Sequence, residues 1–226
     1  MLFEWARYMH IAAGFTALLI FWIPIVTKKG SPLHTRVGWV YIWAMAVVAV
    51  SAWVMGTYRI FFDPQADAER QDFSLFLIFI AILSAASAWY GIRVLRYKTR
   101  TGIHTRKLDL FFSLLLFGGG IAVSAYGFVR HFPLIAWFPL IGVGLGFNQL
   151  RYWLTPPKTK MGWFFEHLSS MMGCCIATIT AFAVFGAPRL LDVSSVHPLL
   201  WFLPTVVIVP LIIGFNWYYR KKFRMG

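Results

Sequence analysis

The chain has 226 residues, 59% of them hydrophobic and 19% aromatic, with only 13% charged. A soluble domain of this length carries a far more polar surface, so the composition excludes a water-soluble globular protein. The net charge of +13 would suit a nucleic-acid binder, but no basic stripe lies on a soluble element, and that class is excluded as well.

Apolar runs of roughly 20 residues recur with few interior charges, the length a helix needs to cross a hydrocarbon core of ~30 Å. They fall at about 6–27, 35–57, 73–95, 108–129, 134–154, 162–186 and 197–219. The expected fold is an all-α integral membrane protein, one seven-transmembrane-helix bundle over residues 1–226. When the segments alternate across a bilayer, sixteen Lys and Arg residues fall on one side, clustered at 28–36, 93–107, 151–160 and 220–224. The other side holds five: Arg7, Arg59, Arg70, Arg130 and Arg189. Basic loops stay in the cytoplasm, which predicts the amino terminus outside and the carboxyl terminus cytoplasmic. The basic excess also predicts attraction to anionic lipid headgroups at the cytoplasmic face.

In chain order, MLFEWARYMH leads into a full-length span with no small-residue cleavage site, so the first helix is read as retained. His10 lies in its first turns on one face with Glu4 and Arg7. Two readings of His10 stay open: a hydrogen bond to a carbonyl of a neighbouring helix, or a second site on the outer side. The second helix opens on SPLHTRVGW, with His34, Thr35 and Arg36, and ends before Pro64 in the acidic loop RIFFDPQADAERQD. The fourth helix opens on TGIHTRKLD, with His104, Arg106 and Asp109, and the sixth on PKTKMGWFFEH, with Glu166 and His167. Together these openings suggest a weak repeat of helical hairpins, Thr capping and Arg anchoring to headgroups. GVGLG at 142–146 in the fifth helix reads as a helix contact face. His131 and His197 sit at loop boundaries and read as interfacial. Cys174 and Cys175 read as core residues.

Ionisable groups inside a span are costly, so each one is a functional candidate. On the inner side these are His34, His104, Asp109, Glu166 and His167, with Asn148, Gln149, Ser169, Ser170 and Asn216 at similar depth. Three readings follow. In the first, His34, His104 and His167 bind heme b, or a metal ion, for electron transfer or redox sensing, and Arg36 and Arg106 meet propionates or lipid phosphates. His167 lies about 6–9 Å deeper than the other two by helical rise, which strains a shared ligation plane. In the second, His34, His104, Asp109, Glu166 and His167 hold zinc or another divalent metal in an intramembrane enzyme acting on a lipid or small amphiphile. In the third, the same polar cavity belongs to a carrier or receptor-like bundle for an organic ligand. Oligomeric state is left open.

HIAAG at 10–14, HTRVGWVY at 34–41 and HTRKLD at 104–109 resemble the motifs of an uncharacterised family of bacterial multi-pass membrane proteins. That family has His and Gly early in its first helix and His-Arg-Arg openings to its second and fourth helices. Thr35 and Thr105 stand where the family has its first Arg, and Leu108 stands near the position of its Trp. The resemblance implies a bacterial inner membrane and importance for His10, His34 and His104, and it implies no reaction. The HxxxGW opening of the second helix is also similar to segments of membrane b-type cytochromes.

Overall fold

Among the described residues, hydrophobic length and helix breakers set out seven helices long and apolar enough to cross a membrane. They are α1 Leu2–Val26, α2 Pro32–Phe61, α3 Ala68–Tyr97, α4 Lys107–Val129, α5 Pro133–Leu154, α6 Gly162–Gly186 and α7 Trp201–Lys222. The computed structural model describes residues 1–190 and 199–223, and these contain helices and turns but no strand. His197 and Arg224 lie outside the described residues, as does the expected start of the seventh helix. Several helices run a few residues past the apolar runs, because polar caps and amphipathic ends extend them beyond the stretch that hydropathy marks.

The starts of α2 and α3 follow from capping chemistry. Ser31 accepts the amide of His34 at 3.2 Å, with Pro32 at the first helical position where a missing N–H costs nothing. Asp67 accepts the amide of Arg70 at 2.8 Å. Ser31 therefore fills the capping role expected of Thr35, whose hydroxyl instead donates to the Ser31 carbonyl. Nor are the two His-Thr-Arg stretches equivalent. Residues 34–36 lie within the first turns of α2, whereas 104–106 precede α4 outside any helix, with Arg106 extended.

The helices from α1 to α5 pack consecutively, each on the next, and the order breaks after α5. α6 lies against α3 and touches α1, and α7 packs on α6. This makes α3 the central and most buried helix. Glycine brings α4 and α5 close. A Cβ at Gly146 would lie 2.6 Å from the Phe117 amide nitrogen of α4, and one at Gly142 would lie 3.1 Å from Leu116 Cδ1 of α4 and 2.5 Å from the Phe79 ring of α3. Gly144 has nothing within reach, so the expected contact face in GVGLG consists of its first and last glycines, one helical turn apart.

Candidate functional site: a two-histidine cavity at the basic end

The site begins where α1 stops. The last carbonyls of a helix have no amide within the helix to meet. Here the chain turns at Gly30, whose φ of +77° favours glycine, and brings two side chains back to those carbonyls. Lys29 Nζ donates to the Pro24 carbonyl at 2.8 Å and to the Ile25 carbonyl at 2.6 Å. The negative end of the helix dipole favours a cation at this place. His34 Nδ1 lies 3.0 Å from the same Pro24 carbonyl.

His167 is held in the same manner by a different helix. Its Nδ1 lies 2.7 Å from the Gly91 carbonyl of α3. Two further contacts join this face of α6 to α3: the Tyr90 hydroxyl donates to Glu166 Oε2 at 2.7 Å, and the Ser170 hydroxyl to the Ser87 carbonyl at 2.7 Å. A carbonyl oxygen can only accept, so both histidines carry a proton on Nδ1, and in the neutral ring Nε2 then keeps a lone pair. The two ring centres stand 6.4 Å apart at an interplanar angle of 67°.

Both rings line one cavity of about 480 Å³, within the usual range of small-molecule sites. Its walls are largely apolar and include Trp39, Tyr41, Trp163 and Met171, with Lys29 and Lys98 among the lining side chains. Lys98 Nζ sits 4.5 Å above the Trp163 ring. Burial pushes the half-buried Lys29 ammonium below the usual lysine range.

The other expected site residues lie elsewhere. His104 is buried and bonded through Nε2 to Asp109 Oδ2 at 2.8 Å, and its ring stacks on Trp153 with centres 4.2 Å apart. Asp109 also accepts Arg93 Nε at 2.6 Å, Arg93 Nη2 at 2.9 Å and Trp89 Nε1 at 2.8 Å. Its side chain is fully buried, and its oxygens are taken up by this clamp between α3 and α4. Glu166 borders a separate groove of about 430 Å³ with Ser169, Asn216 and Arg220. Adjacent residues on a helix point about 100° apart, which explains how Glu166 and His167 serve different cavities. Arg36 and Arg106 are exposed and outside the cavity lining. Among the described residues, no group of three or more His, Cys, Asp or Glu side chains is placed to hold a metal ion. The set of five expected to bind a divalent metal does not assemble.

At the opposite end, His10 Nδ1 lies 3.1 Å from the Val48 carbonyl and 3.0 Å from the Ser51 hydroxyl, a bond from α1 to α2. Of its two readings, this is the hydrogen bond to a neighbouring helix. Cys174 and Cys175 are free and buried in the packing of α1, α2, α3 and α6. Gly38, the glycine of the HxxxGW opening, lines the cavity, and so do Lys29 and Lys98, which in the sequence count only toward the inner charge excess. Arg93 was likewise read as a topology signal. The one available clue was Asp109 itself, a carboxylate inside a span that needs a cation. The resemblance noted above rests on its three short motifs, for no family model, curated protein or solved structure matches the chain.

Proposed function

We propose that the protein is a membrane-embedded binding protein that takes a small amphiphile into the cavity between α1, α2, α3 and α6, with His34 and His167 as its polar contacts. The observation that carries this is the pair of imidazoles, each fixed through Nδ1 to a backbone carbonyl of another segment, with Nε2 left for a ligand beside apolar walls. Preorganised polar atoms on rigid elements confer specificity at little entropic cost. We place the basic end in the cytoplasm, in contact with anionic headgroups, on the charge asymmetry of the loops, and the membrane as a bacterial inner membrane on the motif resemblance.

Gly38 supplies the test. It lines the cavity, and a Cβ there would meet nothing within 4 Å. In protein purified in lipid nanodiscs, native mass spectrometry should find a small molecule retained by the wild type and lost from Gly38→Phe, with the fold intact. His34→Ala and His167→Ala should each weaken retention about tenfold, the equivalent of ~1.4 kcal/mol for a lost hydrogen bond. His104→Ala should leave retention unchanged. Equal occupancy in wild type and Gly38→Phe would remove the cavity from consideration.

The same pair of free Nε2 atoms favours a second reading, heme b. Neutral imidazoles of this tautomer are the form that ligates iron, and apolar walls suit a porphyrin body. His34 and His167 would hold the group, with His104 no longer among the ligands. When bound, it would supply one-electron transfer. Narrow bands in a dithionite-reduced minus air-oxidised spectrum, absent from His34→Ala and His167→Ala but present in His104→Ala, would select this reading. The divalent-metal enzyme reading has no such support, since zinc sites use at least three protein ligands.

A further inference from the structure

The charge inside the cavity is one-sided. Lys29 and Lys98 line it, and among the described residues its lining contains no Asp or Glu. Among the described residues, neither lysine takes part in an ion pair. The carboxylates at this end are engaged elsewhere, Asp109 by Arg93 and His104, and Glu166 by Tyr90 at the edge of the other groove. Headgroup anchoring accounts for an exposed lysine such as Lys98. It does not account for Lys29, which is half-buried, packs over the Phe215 ring at 5.7 Å and is turned inward onto the end of α1. Two of its three N–H groups go to carbonyls, which leaves one for a ligand. The carbonyl dipoles at the end of α1 favour the cation but supply no full counter-charge, and the imidazoles beside it supply none either.

We propose that the ligand of this cavity is an amphiphilic anion, its carboxylate or phosphate head met by Lys29 and Lys98 and its apolar body lying against the aromatic wall. The inference rests on the cavity reading above and narrows it to one class of molecule. A neutral amphiphile would leave the Lys29 charge met only by the dipoles of the Pro24 and Ile25 carbonyls, and a cationic one would meet two like charges.

The test compares four probes of one chain length, dodecanoate, dodecyl phosphate, dodecanol and dodecyltrimethylammonium, binding to the full chain in phosphatidylcholine nanodiscs. At least one of the two anions should bind ten times or more tighter than dodecanol, and the cation should not bind. Tighter binding of dodecanoate would assign the head to a fatty-acid-type carboxylate, and tighter binding of dodecyl phosphate to a phosphate. Lys98→Gln should cost the anion about tenfold and the alcohol nothing. Lys29→Gln should do the same, with Lys29→Arg recovering most of the loss; Lys98→Gln alone suffices if Lys29→Gln fails to fold. Equal affinity for dodecanol and both anions would overturn the anion assignment and leave the cavity reading standing. Loss of all binding on Gly38→Phe, but none on either lysine variant, would do likewise. Failure of every probe to bind the wild type would overturn both.

Discussion

Asp109→Ala is expected to lower the unfolding temperature of the purified protein by about 10 °C, from a loss of ~3–5 kcal/mol and a shift of ~2–4 °C per kcal/mol for a chain of this size. The Asp109 side chain is fully buried and accepts Arg93, Trp89 and His104. Its removal leaves the Arg93 guanidinium, only 15% exposed, without its counter-ion, and leaves the buried His104 without its acceptor. An orphaned charge costs more than the intact pair contributes, because its desolvation is no longer offset. Two controls separate this clamp from a ligand site. Arg93→Leu combined with Asp109→Leu should recover much of the loss, since no unpaired charge then remains. Retention of ligand should be unaffected in any of these variants that folds. A thermal-denaturation series showing Asp109→Ala within about 2 °C of wild type would refute the clamp, and a selective loss of ligand would return Asp109 to the site.

Gly127→Ala is expected to cost about 2–3 kcal/mol, while Gly118→Ala in the same helix costs nothing. A Cβ at Gly127 would stand 2.3 Å from the Ala136 amide nitrogen and 2.4 Å from the Ile135 carbonyl carbon, backbone atoms that cannot rotate aside. The Ser124 hydroxyl donates to the Ala136 carbonyl one turn away, so separating the helices to admit the methyl would also stretch that bond. At Gly118 the same methyl meets nothing within 4 Å, and helix propensity alone would favour alanine slightly. The pair is read by comparing melting temperatures under identical detergent. Equal costs at the two positions would show that the close approach of α4 and α5 is not what Gly127 provides.

The number and placement of the helices were legible in the sequence because each signal is local. A span declares itself by some twenty apolar residues in a row, and Pro64 marks a boundary through its own backbone chemistry; the caps at Ser31 and Asp67 emerge only in the structure, where Ser31 takes the role expected of Thr35. The polar groups at the basic end were legible for the same reason, since a charge within an apolar run stands out.

Their grouping was not legible, because it depends on which face of each helix meets which neighbour. His34 and His104 share a tripeptide, yet one is turned by the end of α1 toward the cavity and the other is drawn into a carboxylate clamp by α3. Glu166 and His167 are neighbours in sequence, yet a rotation of about 100° sends them to different cavities. Lys29 read as one of many topology charges, and only the return of the chain onto the carbonyls of Pro24 and Ile25 gives it a place in the site. Hydropathy and breakers were determined by the sequence itself; which imidazole keeps a free nitrogen, and which carboxylate is already spent, was decided by contacts between residues as many as 76 positions apart.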